Sequence, residues 1–257
     1  MTTLDIAARS PRAGGINLTL LGIELRRVLR NRRTVIFTLL FPGAMFLAFG
    51  SQYSASDSAG SGNVTAYIMV AMGLYGAAMT ASAAGASVAL ERAQGWSRQL
   101  RLTPLRPAAY ILVKALSALV MGAIAVGVVN LVGVVQGRAH MPLGTWVSCA
   151  LLTVLSTLVF AALGLFVGYL VPGETAMQVL GPALAVFAFA GNVFIPISQG
   201  SVMWTIASFT PMFGVAEITR YPITNDLPWY AVVNAVVWLG LFVGGAAWRM
   251  SRDTGRV

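Results

Sequence analysis

Glu91-Arg-Ala-Gln-Gly-Trp-Ser-Arg-Gln-Leu-Arg-Leu-Thr-Pro-Leu-Arg-Pro107 is the stretch whose reading decides the fold. It carries four arginines (Arg92, Arg98, Arg101, Arg106) and one glutamate. Apolar runs at 64–90 and 108–135 flank it, and Lys114 is their only charge. Arginine at that density between two membrane-length segments marks a loop held on the cytoplasmic side, where short Lys/Arg-rich loops stay. Residues 91–102 contain no proline, and Trp96, Leu100 and Leu102 break a charged surface. The pattern predicts a short amphipathic helix, stopped at Thr103-Pro104 because proline disfavours helical geometry in the residue before it. A rigid charged helix between two spans is a docking handle; a solvated loop that only fixes topology is the plainer reading.

Working outward, composition supports a membrane protein. Of 257 residues, 57% are hydrophobic and 10% charged, where soluble domains carry roughly 25% charged residues. The net charge of +9 would suggest nucleic acid in a soluble chain, but its placement argues for topology and against that partner. Seven arginines precede the first apolar run, five positive residues belong to the central loop and its edge, and three follow the last run. Arg138 and Arg220 alone fall on the other side. This bias places both termini in the cytoplasm. Cys149 is the one cysteine, so no disulfide framework is expected. The polar, Arg-rich start is unlike a cleavable signal peptide.

Residues 1–15 read as a flexible cytoplasmic tail and 251–257 as another, with one transmembrane domain at 16–250. Within 16–33, Leu18, Leu21, Leu25, Val28 and Leu29 recur at helical spacing. They predict an amphipathic interfacial helix whose arginines face anionic lipid; a basic extension of the first span is the alternative. Six spans are expected at about 34–50, 64–90, 108–135, 146–171, 176–194 and 229–248, each near the 20 or so residues a bilayer needs. Gly73, Ala77, Ala81, Gly85 and Ala89 stand four apart, a small-residue ladder that permits close helix approach. Gly240 and Gly244 form a weaker pair. Residues 172–178 form a tight turn containing Glu174. The segment 195–228 contains Pro196, Pro211, Pro222 and Pro228 and cannot be one span. Its apolar parts, Val202–Phe209 and Met212–Ile218, predict short re-entrant helices on the outer side, where irregular backbone needs protein around it.

Several chemistries are missing from this pattern. No ionisable side chain occupies the middle of a span, which counts against an ion-coupled secondary carrier. His140 lies in an outer loop, and no metal site or catalytic group is expected. No phosphate-binding loop exists, since the sole lysine, Lys114, follows Val113; it is expected to snorkel to the cytoplasmic surface. A membrane assembly subunit without transport of its own remains the other alternative.

The order of these parts carries a family resemblance. The basic N-terminal helix and six spans are joined by the inner-loop pattern Glu91…Gly95…Leu100…Thr103-Pro104…Lys114, and Gly191-Asn-Val-Phe-Ile-Pro196 continues the order, with Pro211 further on. Over residues 16–250 the chain resembles the membrane subunit of ABC-2 type exporters, a group that includes drug, antibiotic and polysaccharide exporters. The resemblance implies an all-α polytopic fold with a cytoplasmic coupling helix and outer re-entrant helices, in a bacterial cytoplasmic membrane. It implies two six-span halves, from two copies or from this chain and a paralogous permease, each docked on a separate nucleotide-binding ATPase. No cofactor would be bound by this chain, and ATP and Mg would sit on the ATPase. Glu91, Gly95, Trp96, Arg98, Leu100 and Arg101 would form the coupling contact, with Glu174 a smaller one. The second and fifth spans would face the partner half, with Met72, Tyr75, Met79, Phe187 and Phe189 along an apolar substrate path. Phe194, Pro196 and Pro211 would belong to the outer gate. Met and aromatic surfaces adapt to varied apolar ligands; lipid-facing or core packing is the plainer reading of each.

Overall fold

The structure is a computed structural model that describes residues 18–30, 32–95 and 107–253. The described elements are α1 (Leu18–Arg30), α2 (Arg32–Gly50), β1 (Ser58–Ala59), β2 (Gly62–Asn63), α3 (Val64–Ala93), α4 (Pro107–Gln136), α5 (Leu143–Leu170), α6 (Thr175–Ala190), α7 (Val202–Ala207), α8 (Pro211–Thr224) and α9 (Trp229–Asp253).

Among the described residues, four helices are long and apolar enough to cross a bilayer: α3, α4, α5 and α9. The other two expected spans are α2, a helix of 19 residues with Pro42 inside it, and α6. Helix α6 has 16 residues, about 24 Å at 1.5 Å per residue against a hydrocarbon core of about 30 Å. It stops at Ala190 because Gly191 caps it and Asn192 turns into the left-handed region at φ 63°. The expected helix at 176–194 is therefore shorter at its end.

Helix α3 is the axis of the fold. It packs most extensively on α5, then on α4 and α2, and also meets α6 and α8. Its small residues make that possible. A Cβ on Gly85 would lie 2.3 Å from the Ala161 carbonyl oxygen, and one on Gly164 of α5 would lie 2.1 Å from the Ser82 carbonyl oxygen. The ladder is thus spent inside a single copy of the chain, and Ala77, Ala81 and Ala89 are buried in its core. Gly240 and Gly244 meet nothing within 4 Å.

At the end opposite Glu91 and Lys114, a β1–β2 hairpin closes over the helices. Asn63 accepts from Ala66 N at 2.9 Å to cap α3, and donates to the Arg138 carbonyl at 2.7 Å. Ser61 N donates to the Ile223 carbonyl at 2.8 Å. Gly60, at φ 57°, fits there because a Cβ would lie 2.0 Å from that same oxygen. The segment expected to be re-entrant folds as α7 and α8. Ser201 caps α7 by accepting from Trp204 N at 3.1 Å, and Pro211 starts α8.

Candidate functional site

The basic end of the bundle holds a cluster built from three helices. Glu24 and Arg27 stand three apart on α1, Ser87 and Glu91 four apart on α3, and Tyr110 and Lys114 four apart on α4. Each spacing puts the two side chains on one helical face, and the three faces converge. The Lys114 ammonium donates to Glu24, to Glu91 and to Ser87 Oγ, the last at 2.9 Å. Arg27 donates to Glu91 and, at 3.3 Å, to Glu24. The Tyr110 hydroxyl donates to Glu91 Oε2, and Ser87 Oγ donates to Oε1 at 3.3 Å.

Two cations thus face two carboxylates, and the cluster is formally neutral. Glu91 is 3% exposed and Lys114 1%. Burial alone would lower the Arg27 pKa, but Glu91 and Glu24 outweigh it and hold the guanidinium above its ordinary value. Lys114 therefore does not snorkel. Its depth on α4 faces protein, and Glu24 and Glu91 supply inside the fold the partners it would otherwise seek in water.

Glu91 does not begin a separate helix. It sits in the last turn of α3, which ends at Ala93, and Gly95 leaves the helix at φ 74°. A left-handed glycine is a common way to end a helix. Trp96, Arg98, Leu100 and Arg101 lie outside the described residues. Glu174 is exposed at the N-terminal cap of α6.

The residues expected along a substrate path separate. Met72 and Tyr75 are buried in the core, and Met79 packs against it. Phe187 and Phe189 stand two apart on α6, on nearly opposite faces. Phe187 packs inward, while Phe189 is 53% exposed. Aromatic contacts nevertheless join the path to the expected gate. The Phe194 ring lies 4.7 Å from Tyr75 and 4.9 Å from Phe189, and Tyr75 lies 6.3 Å from Phe41. Pro196 is exposed and Pro211 buried, and Phe194 is the expected gate residue with aromatic contacts to the path residues.

Beside Phe194 is a polar cluster that the sequence reading missed. Arg220 is 1% exposed. It donates to the Asn192 carbonyl at 2.5 Å and the Val193 carbonyl at 3.2 Å, and its guanidinium lies 4.3 Å from the centre of the Tyr67 ring. Asn192 Nδ2 donates to Glu217 at 2.9 Å, and Asn192 Oδ1 accepts from Ile197 N at 2.8 Å. The signal available was Glu217 and Arg220 three apart on an otherwise apolar helix.

A helical membrane bundle with one basic end, and charges buried where its first helix meets the root of the 91–107 stretch, has the form of a transport permease. Residues 17–223 match the family described as ABC-2 type transporter, and the chain belongs to that family. It is also similar to "Putative transport permease YvfS" of Bacillus subtilis (strain 168), with 23% identity over 225 residues, covering 86% of this chain and 91% of that protein. The chain is thus a transport permease subunit and a multi-pass membrane protein.

Proposed function

We propose that this permease is the membrane half of an ATP-driven exporter, moving an apolar or amphipathic substrate (drug, antibiotic or lipid-like) out across a bacterial cytoplasmic membrane. The basic end faces the cytoplasm, as the arginine bias favours. A separate nucleotide-binding ATPase, carrying ATP and Mg, docks on residues 91–102 and more lightly on Glu174. A second copy, or a paralogous permease, supplies the other half.

The observation that carries this reading is the Glu24–Lys114–Glu91–Arg27 cluster. It binds α1 to the last turn of α3, from which residues 96–106 depart. A push on that stretch is then carried into α3, the helix that touches most of the bundle. Coupling requires only that the ATPase contact the stretch differently in its two states.

The test is reconstitution with the cognate ATPase, using Glu91→Gln and Trp96→Ala. Glu91→Gln leaves Lys114 its Glu24 partner but removes one charge of the buried set and should lower Tm. Export is therefore compared at equal amounts of folded, membrane-inserted protein, where ATPase binding should persist while substrate-stimulated hydrolysis and export fall together. Trp96→Ala should weaken capture of the ATPase, because a large aromatic anchor dominates such contacts. If both variants bind and export like the parent, the docking reading of 91–102 is wrong.

A further inference from the structure

A cavity of about 580 Å³ lies at the hairpin end of the bundle, far from the buried charge cluster. Ser56, Ser58 and Ser61 line it from the hairpin side, and His140, Met141 and Trp146 from the other. That volume is well inside the roughly 300–1,000 Å³ typical of small-ligand sites.

A hairpin with two-residue strands is marginal by itself, so the surrounding fold must hold this wall. Asn63 N donates to the His140 carbonyl at 3.0 Å, and Asn63 Oδ1 accepts from His140 N at 3.0 Å. Val64 N donates to the Asp57 carbonyl at 2.8 Å, and Ser61 Oγ to the Pro222 carbonyl at 3.0 Å. The two walls are thus fixed to each other before a ligand arrives. Such preorganisation lowers the cost of binding.

One plain explanation is a crevice between two loops that holds only water. The lining has a narrower chemistry than that. No Lys, Arg, Asp or Glu is among the described residues that line it. The nearest charges along the chain are opposite in sign and bonded elsewhere. Asp57 Oδ2 accepts from Ser54 N at 2.8 Å, and Arg138 Nη1 donates to the Ser51 carbonyl at 3.1 Å. A charged ligand would therefore lack a counter-charge on the lining.

The three serine hydroxyls can donate or accept. His140 Nδ1 lies 2.9 Å from the Arg138 carbonyl, which only accepts. The neutral ring then carries its proton on Nδ1 and offers Nε2 as an acceptor. Trp146 gives its one N–H to Asn130 Oδ1 at 2.5 Å, so it shows the cavity ring surface alone. A wholly apolar ligand would strip water from the hydroxyls without replacing their hydrogen bonds. An uncharged ligand with several hydroxyls and one apolar face satisfies the whole set.

We propose that the cavity between the hairpin and residues 139–146 binds a neutral sugar. Its hydroxyls bond to the serines and to His140 Nε2, and the C–H face of its ring lies on Trp146. A free hexose and the headgroup of a neutral glycolipid both present this chemistry. Neither needs an ATPase or transport to bind, so the site stands apart from the export reading.

The test uses the full chain purified in an amine-oxide detergent, because sugar detergents would compete. Methyl β-glucoside, a monoglucosyl diacylglycerol and the same diacylglycerol without sugar are the probes. Sugars stabilise proteins non-specifically at high concentration, so binding is read directly. Saturation-transfer NMR detects the glucoside, and native mass spectrometry detects retained lipid. The glycolipid should be retained far better than the diacylglycerol, and the glucoside should receive saturation at its ring C–H protons. A positive result for only one of them supports the proposal and names the source as lipid-borne or soluble. Binding of neither overturns it, as does equal retention of the diacylglycerol. Ser58→Ala with His140→Ala should weaken binding about tenfold, at roughly a factor of three per hydrogen bond. Trp146→Leu, compared at equal amounts of folded protein, should also weaken it. Ser198→Ala with Gln199→Ala removes two exposed polar groups outside the cavity and should change nothing. An equal loss in that control, or unchanged binding in both cavity variants, would place the sugar elsewhere and overturn the proposal.

Discussion

Lys114 of α4 and Glu91 of α3 form an ion pair inside the protein, with side chains 1% and 4% exposed. Glu24 reaches the same ammonium from α1, 90 positions away in the chain. Three helices at the basic end are therefore joined at one nitrogen. Lys114→Met would leave two buried carboxylates to share Arg27. Removing one partner of a buried charge set is destabilising by about 3–5 kcal/mol, because the remaining charges are uncompensated. A large drop in thermal stability in detergent is expected for Lys114→Met, partly recovered when Glu24→Gln is added. A Tm equal to that of the parent would mean that water reaches the cluster and the pairing contributes little.

The α3–α5 contact makes a sharper packing prediction. Gly164→Ala places a methyl group against the backbone of Ser82, where no flexible side chain can yield. Helix association in lipid rests on close fit, so this substitution should prevent normal folding. Gly240→Ala is the contrast. Its Cβ meets nothing within 4 Å, and alanine in a helix is favoured over glycine by about 0.5–1 kcal/mol. It should be neutral or slightly stabilising by thermal unfolding. Destabilisation at Gly240 would show that α9 packs on another chain in the assembly.

These two sites also mark what was legible in the sequence. The spacing of Gly85 and its small neighbours announced close packing, and the apolar runs placed α3, α4, α5 and α9 to within a few residues. Composition is local, and a long uncharged run has few alternatives to a helix in lipid. Which helices meet is not local. Lys114 two turns into α4 is compatible with snorkelling or with burial, and only α1 packing against α4 brings Glu24 to it. The partners of Arg220 were hidden for the same reason. They are backbone carbonyls of Asn192 and Val193, and any sequence supplies carbonyls. The left-handed Asn192 that ends α6 early was visible only as an asparagine after a glycine.

Topology has a direct check. Ser58, in the hairpin, and Ser198, before α7, are exposed at one end, and Gln94 is exposed at the other. The native Cys149 is buried, so it should not obscure labelling. Cysteines at Ser58 and Ser198 should react in intact cells with an impermeant thiol reagent, and one at Gln94 only after the membrane is opened. Labelling of Gln94→Cys in intact cells would place the basic end outside.

The last prediction concerns the Arg220–Asn192–Glu217 cluster. Burial pushes the Glu217 carboxyl above its ordinary value of 4.5, and Arg220 and the Asn192 hydrogen bond only partly offset this. The folded chain therefore holds the Glu217 proton more tightly than the unfolded chain. The resulting stability is fully present below pH 4.5 and is lost as pH rises through the raised value. Glu217→Gln imitates the protonated carboxyl and keeps an acceptor for Asn192. Near the ordinary carboxyl value the variant and parent should unfold at similar temperatures, and towards neutrality the parent should become the less stable. Thermal unfolding across that range, with hydrogen exchange at 191–197, measures both the stability and the grip on the loop. In the opposite outcome the parent gains on the variant as pH rises. The carboxylate would then be acting as the charged partner of Arg220, and its burial would be outweighed by that attraction.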